Sequence, residues 1–187
     1  MKAPTFLGYE REDGTVGTRN YVAVIPTVFC ANEVVADIAE GFTLCRPLLH
    51  NSGCGQLKPD LEMVTKTLIG LGLNPNAGAV LLVGLGCEST DLQAVYEGIK
   101  SGGRWVEKLT IHGSGGMTNA VEEGRRIVSR MEEVLLKQKR MPHPASKIRL
   151  GVKCGSSDTT SGIAANPAAG KAVDITLDWG GSAVFGE

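Results

Sequence analysis

The sequence predicts an α/β protein with a doubly wound, mostly parallel, Rossmann-like sheet, followed by the incomplete start of a second α/β domain. Short apolar segments alternate with segments of helical periodicity, which is the pattern of βαβ units. The clearest apolar segment, 77–85, has no polar alternation, as expected for a strand that helices cover on both faces. Glycine occurs 25 times in 187 residues, which indicates many tight turns.

The composition is that of an ordinary globular protein. Hydrophobic residues make up 42% of the chain and charged residues 21%, and 19 Lys+Arg against 20 Asp+Glu give a net charge of −1. This balance argues against a nucleic-acid or anionic-membrane partner. No apolar segment approaches the ~20 residues of a membrane-spanning helix, and the N-terminus shows no signal segment. Five cysteines without an export signal are expected to be thiols or metal ligands in a cytoplasmic protein.

The first domain, placed at 1–140, begins with a polar stretch that has turns at Asp13-Gly14 and Gly17. Its predicted strands are apolar and follow in the order 21–28, 44–49, 77–85 and 105–111. Its predicted helices show a one-sided apolar pattern and cover 30–38, 59–71, a segment with Leu92, Val95 and Ile99, and 117–137. Pro59 suits a first helical position, and Ser89 or Thr90 is expected to cap the third helix.

A domain boundary is predicted after the long helix. The segment 139–144 is basic and holds two prolines, which cannot continue a helix, and His143 between them is expected to be exposed and inert. The second domain, 147–187, is expected to contain strands at 147–153 and 181–185 and a helix at 164–172. Some forty residues that stop in a strand cannot bury a core of their own. We therefore expect a fragment of a longer protein, or a subunit that another chain completes.

Reactive side chains follow the predicted strands, at the edge where open parallel sheets bind ligands. Four of the five cysteines lie there beside a glycine or at a helix start, namely Cys30, Cys54, Cys87 and Cys154. Helix N-termini and neighbouring N–H groups favour the thiolate, which is the form that binds metal. The simpler alternative is that each cysteine only packs in the core, and we adopt it for Cys45.

Other site motifs are weak or missing. The glycine-rich turns are compatible with tight turns or with phosphate binding at a helix N-terminus, but none matches GxGxxG or GxxxxGK[ST]. The sequence has no CxxC pair for a zinc knuckle and no GxSxG turn for a Ser–His–Asp hydrolase. A metal site formed by several strand ends is therefore the hypothesis that these residues favour.

The motifs taken together resemble the altronate/galactarate dehydratase family, which includes the large subunits of two-component altronate dehydratases and the sulfolactate sulfo-lyase β subunit. The most telling segments are DGTVGTRNY at 13–21, HNSGCGQ at 50–56 and VGLGCE at 83–88. Further matching segments occur in family order at 26–28 with Cys30, 76–80, 151–158, 161–163, 165–167 and Gly170. His112 departs from the family pattern and receives no role.

The resemblance implies β-elimination of water from an aldonate or aldarate to give a 2-keto-3-deoxy acid. It implies iron, as Fe²⁺ or an Fe–S cluster, a sugar-acid substrate, and a SAF-type small subunit or domain; we also expect a homo-oligomer. The segment up to about 140 resembles the second domain of the family, and 147–187 resembles the opening of its C-terminal domain. Two alternatives are a C–S lyase acting on sulfolactate and a non-catalytic scaffold.

The elimination needs a base for the proton next to the carboxylate and a Lewis acid for the leaving hydroxyl. By the resemblance, Cys54, Cys87 and Cys154 are candidate iron ligands with Cys30 in reserve, and His50 is a fourth ligand or an acid/base. Glu88 is a candidate base, a group that orients a ligand, or a complement to a helix N-terminus.

Candidate substrate-binding residues lie at both ends of the chain. Arg19, beside Asn20, is expected either to clamp a substrate carboxylate or to bond backbone carbonyls. Asp158 is a further candidate catalytic residue. Asp158, Ser161 and Asn166 are expected to bind sugar hydroxyls or to orient a ligand, and the last two are alternatively helix caps.

Overall fold

The computed structural model describes residues 4–186, which form a larger unit at 9–139 and a smaller unit at 4–8 and 140–186. Residues 1–3 and 187 of the two predicted domains lie outside the described residues. The strand β1 (Thr5–Glu10) contributes its last two residues to the larger unit. The other strands of this unit are β2 (Val16–Gly17), β3 (Tyr21–Pro26), β4 (Cys45–Pro47), β5 (Ala77–Gly84) and β6 (Trp105–Thr110). Its helices are α1 (Asn32–Ala39), α2 (Lys58–Gly72), α3 (Leu92–Ser101) and α4 (Met117–Lys137).

The main sheet of the larger unit has four parallel strands in the order β4-β3-β5-β6. The chain runs from β3 outward to β4 and then returns to β5 on the other side of β3. The strand order therefore reverses between β3 and β5, which is the place where doubly wound sheets bind ligands. The predicted α/β fold with a parallel sheet is confirmed.

Two cores cover the faces of this sheet, because successive side chains of a strand point to opposite faces. Val22 and Val24 of β3 pack in one core with α1 and α4. Ala23 and Ile25 pack in the other core with α2 and α3. Helices thus lie on both faces of the sheet, as the uninterrupted apolar strands predicted.

The long helix α4 has the predicted bounds, Met117–Lys137. Its apolar residues recur on one face and are buried, while Glu122 and Arg126 on the outer face are exposed. Among residues 4–186, no helix combines the length and the apolar character needed to cross a membrane.

In the larger unit, one local prediction is wrong and another is confirmed only in part. The cap of α3 is Asp91, whose carboxylate accepts a hydrogen bond from the Ala94 N–H at 3.0 Å, and not Ser89 or Thr90. The backbone N–H groups of Ser89 and Thr90 are instead directed to the Gly53 carbonyl. The predicted turn at Asp13-Gly14 is confirmed, but Gly17 lies in β2, which pairs with the end of β1 in an antiparallel hairpin that was not predicted.

The smaller unit contains β7 (Met141–Pro144), β8 (Arg149–Lys153), α5 (Asn166–Asp178) and β9 (Ser182–Gly186). Residues 5–8 of β1 pair antiparallel with β7, so the proline-containing segment at the predicted domain boundary forms a strand. β8 and β9 are parallel and are joined through a π-helical turn at Ser161–Ala165 and α5. The expectation that His143 is exposed is wrong, because its half-buried ring lies 6.2 Å from the Phe6 ring.

Candidate functional site

Four loops meet at the carboxyl edge of the main sheet, one after each parallel strand. The loop after β4, which we call the Cys54 loop (His50–Gln56), connects the ends of β3 and β5. On the β3 side, the Phe29 N–H donates to the Ser52 carbonyl at 2.9 Å. On the β5 side, the Gly53 carbonyl accepts from the N–H groups of Ser89 and Thr90 at 3.0 and 3.1 Å. The separate strand ends therefore form one connected site.

Gly53 lies where the Cys54 loop comes closest to the sheet. Its φ is +110°, and a Cβ at this position would lie 2.3 Å from the Thr27 carbonyl oxygen and 2.7 Å from the Val28 Cα. No side chain fits in that space, and L-residues rarely adopt this backbone conformation. The local sequence Ser-Gly-Cys-Gly thus lets the loop pass directly over the end of β3.

Glu88 is held across the point at which the strand order reverses. One carboxylate oxygen accepts a hydrogen bond from the Thr27 hydroxyl at 2.9 Å, and the other accepts from the Gly86 N–H at 2.6 Å. The carboxylate also lies over Gly84, where a Cβ would be 2.3 Å from Oε1. The predicted base is therefore half-buried and fixed in orientation between β3 and β5.

Thr27 is a site residue that the sequence reasoning missed. It is fully buried, and its hydroxyl contacts Glu88 rather than an apolar neighbour. The available signal was a single polar residue inside the otherwise apolar segment 21–28. A buried hydroxyl is stable only where it finds a hydrogen-bond partner.

Both ring nitrogens of His50 form hydrogen bonds with the main chain. Nδ1 lies 3.1 Å from the Ser52 N–H, and Nε2 lies 2.7 Å from the Pro26 carbonyl oxygen. The His50 carbonyl accepts in turn from the Asn32 side-chain amide at 3.0 Å. The ring thus occupies a fixed place between β3 and the Cys54 loop.

Three exposed free thiols, Cys30, Cys54 and Cys87, lie in the loops of this edge, as predicted. Cys45 is buried in β4, and burial, followed by the nearby Glu132 carboxylate, raises the pKa of its thiol to about 12. Cys154 is exposed in the smaller unit, with its Sγ 3.9 Å from the Ser157 hydroxyl.

Thiolates are chemically suited to iron. Within the described part of the chain, however, no three His, Cys, Asp or Glu side chains are grouped closely enough to hold a metal ion. The residues at this edge do not by themselves fit a complete iron site, and no reaction step is derived from iron below.

Arg19 and Asn20 lie at the amino end of β3, about 20 Å along the strand from the loops described above. The exposed Arg19 donates its backbone N–H to Asn76 Oδ1 at 3.0 Å. Asn20 is buried, and its amide donates to the Leu135 carbonyl at 3.2 Å, next to the end of α4. The structure does not bring these two predicted substrate-binding residues to the edge that carries Glu88.

In the smaller unit, Asp158 and Ser161 form a reciprocal pair at the start of a helical turn. Asp158 Oδ1 accepts from the Ser161 N–H at 3.1 Å, and Ser161 Oγ accepts from the Asp158 N–H at 3.0 Å. Hydrogen bonds from Thr160 and Ser161 hold the pKa of the exposed Asp158 carboxyl below its usual value, with the Thr160 hydroxyl as the largest cause. The geometry is that of a helix cap; Asn166, the first residue of α5, is exposed.

The carboxyl edge also favours anions. The helices α1, α2, α3 and α4 all begin there, because each follows a parallel strand. Among the described residues, no side chain caps α2 or α4. The positive ends of helix dipoles stabilise a nearby carboxylate.

Two family models match the chain. The model described as D-galactarate dehydratase/Altronate hydrolase, second domain, matches residues 8–135, and the model described as D-galactarate/Altronate dehydratase, C-terminal, matches residues 145–187.

The names of curated relatives agree with the descriptions of these family models. The chain is 37% identical over 190 residues to the (2R)-sulfolactate sulfo-lyase subunit beta of Chromohalobacter salexigens, a match to 100% of this chain and 47% of that protein. It is 34% identical to the altronate dehydratase of Bacillus subtilis over 98% of this chain and 38% of that protein. It is 31% identical to the galactarate dehydratase (L-threo-forming) of Escherichia coli over 100% of this chain and 40% of that protein. The chain thus spans less than half the length of these relatives.

Proposed function

Because the chain belongs to the D-galactarate dehydratase/altronate hydrolase family, we propose that its protein is a lyase that eliminates water from a sugar acid such as altronate or galactarate. The product is a 2-keto-3-deoxy acid. The observation that carries this proposal is the Glu88 carboxylate, fixed between β3 and β5 by Thr27 and Gly86.

Glu88 is the proposed base. It takes the proton from the carbon next to the substrate carboxylate, while the C–O bond to the neighbouring carbon breaks and the hydroxide leaves as water after protonation. The resulting enol converts to the 2-keto acid. Thr27 and Gly86 use one hydrogen-bonding position on each carboxylate oxygen, so each oxygen keeps a lone pair for the proton.

The substrate carboxylate is proposed to bind at the same edge, where the helix N-termini favour negative charge. Fixed groups aimed at developing charge lower a barrier because they need no reorganisation during the reaction. Iron and a SAF-type partner stay proposals that depend on the family resemblance alone, and Cys30, Cys54 and Cys87 are the thiols of this edge that an iron site would draw on.

The test measures 2-keto acid formation from altronate and galactarate by the protein as its gene encodes it. Glu88→Gln keeps the size of the side chain but removes its basicity, so we expect kcat to fall by about 100-fold or more at an unchanged melting temperature. Glu62→Gln, at an exposed position of α2, is the matched control and should leave kcat unchanged. Wild-type kcat in Glu88→Gln would remove Glu88 from the role of base.

Sulfolactate is the second candidate substrate, because the match to the sulfo-lyase subunit covers 100% of this chain at 37% identity. The same proton abstraction would then be followed by C–S cleavage, with sulfite as the leaving group. Sulfite release from sulfolactate, together with no 2-keto acid from either sugar acid, would assign this second reaction.

A further inference from the structure

We infer that His50 is a positioning residue: its ring, as the neutral Nε2–H tautomer, fastens the Cys54 loop to the end of β3 and neither binds metal nor transfers a proton. This inference deepens the proposed function, since it rests on the carboxyl edge of the sheet being the active site.

The hydrogen-bond partners determine the tautomer. The Ser52 backbone N–H can only donate, so Nδ1, 3.1 Å away, accepts with its lone pair. The Pro26 carbonyl oxygen can only accept, so Nε2, 2.7 Å away, carries the hydrogen and donates it. Both ring nitrogens are then fully used by the backbone.

This arrangement leaves neither nitrogen available for chemistry. A metal at Nδ1 would displace the Ser52 N–H, and a metal at Nε2 would require loss of the proton that Pro26 accepts. Proton transfer through either nitrogen would likewise break one of the two bonds. The ring can act catalytically only if the Cys54 loop moves.

The bonds around His50 show what the ring positions. Asn32 binds the His50 carbonyl, and Phe29 binds the Ser52 carbonyl two residues later. The next residue, Gly53, lies against the end of β3 and accepts from Ser89 and Thr90 beyond β5. The His50 ring is therefore part of a hydrogen-bond network that positions Cys54 and the loop containing Glu88.

Amide side chains separate positioning from catalysis. Glutamine places a side-chain amide N–H near the position of Nε2, so it can donate to the Pro26 carbonyl and keep the bond to the end of β3 without any titrating group. His50→Gln should retain kcat within about tenfold, because only the bond from the Ser52 N–H is lost. His50→Ala loses both bonds, and misplacement of the loop should lower kcat by about 100-fold.

A catalytic or ligating His50 makes different predictions. His50→Gln would then lose as much kcat as His50→Ala, and one limb of the pH–rate profile would disappear from both variants. That result would overturn the inference. A positioning residue predicts instead that both variants keep the shape of the wild-type profile.

Two measurements on the protein as its gene encodes it do not depend on activity. With ¹⁵N-labelled histidine, long-range ¹H–¹⁵N correlations should show an unprotonated Nδ1 and a protonated Nε2 for His50, assigned by comparison with His50→Gln, and the same tautomer in the presence of Zn²⁺. An Nδ1–H tautomer, or loss of the Nε2 proton on addition of Zn²⁺, would overturn the inference.

The second measurement is the alkylation rate of Cys54, followed by mass spectrometry. The rate should rise severalfold in His50→Ala and return toward the wild-type value in His50→Gln, which keeps the bond to the Pro26 carbonyl. His112→Asn, at an exposed histidine of the same edge, is the control and should leave the rate unchanged. If these results hold and no lyase activity is found, the proposed function fails while the positioning role stands.

Discussion

At the scale of single residues, Gly53 decides how closely the Cys54 loop approaches the sheet. Its φ is +110°, and a Cβ would lie only 2.3 Å from the Thr27 carbonyl oxygen, so both the backbone conformation and the space exclude a side chain. Gly53→Ala should lower the free energy of unfolding by about 2–4 kcal/mol, as the sum of backbone strain and overpacking. Urea denaturation followed by tryptophan fluorescence measures this change.

Gly55 provides the matched control in the same loop. Its φ is +69°, but no other described atom lies within 4 Å of where a Cβ would be. Gly55→Ala should therefore lose only the strain, about 1–2 kcal/mol. Equal losses in the two variants would show that close contact with β3 contributes nothing.

Cys45 is the buried thiol of the chain, and its pKa is raised from 9.0 to about 12, mainly by burial. A group whose pKa is higher in the folded state adds stability that is fully present below pH 9 and is lost as the pH rises through about 12. The free energy of unfolding should therefore fall over this range. In Cys45→Ala the fall should be smaller, and identical slopes would contradict the assignment.

At the scale of elements, glycines set how closely neighbouring helices pack. A Cβ on Gly124 of α4 would lie 2.3 Å from Ile38 Cδ1 of α1, whereas Gly70 of α2 has open space around it in the described structure. Gly124→Ala should cost about 1–3 kcal/mol through overpacking. Gly70→Ala should gain up to about 1 kcal/mol from helix propensity. Thermal unfolding of both variants checks the opposite signs, and a gain in Gly124→Ala would show that Ile38 repacks freely.

The elements that periodicity predicts well are those that bury at least one face along their whole length. The strand β5 and the helix α4 have strong patterns, and the sequence locates both. The hairpin of β1 and β2 was not predicted, because the paired segments are short and show no alternation of polar and apolar residues around Tyr9 and Gly17. The cap of α3 was misassigned because Thr90 is engaged by Gly53, which is distant in sequence.

The sequence predicts which edge of the sheet carries several candidate residues but not the contacts that these residues make, and their roles stay predictions. Strand-end topology places Cys30, Cys54, Cys87 and Glu88 at one edge, and the motifs identify the family, which the family models confirm. The partners of the His50 ring are the backbone groups of Ser52 in the same loop and of Pro26 in β3, and backbone partners cannot be read from the identities of side chains.

At the scale of the whole chain, the two units differ in how much they bury. The larger unit has an apolar core on each face of its sheet. In the smaller unit, Ala145 and Thr176 are buried, whereas Ile163, Val184 and Phe185 are 75%, 65% and 76% exposed. A two-stranded sheet with one helix is marginally stable when its apolar side chains remain in water.

Hydrogen exchange of the 187-residue chain should therefore be uneven. Amides of β3 and β5 lie between two cores and should exchange only through global unfolding, while amides of β8 and β9 should exchange through local opening. Exchange followed by mass spectrometry, with peptides covering 21–26, 77–84, 149–153 and 182–186, measures the contrast. Equal protection in all four segments would mean that a second copy of the chain covers Ile163, Val184 and Phe185, and dilution would then reduce protection in the smaller unit first, because association depends on concentration.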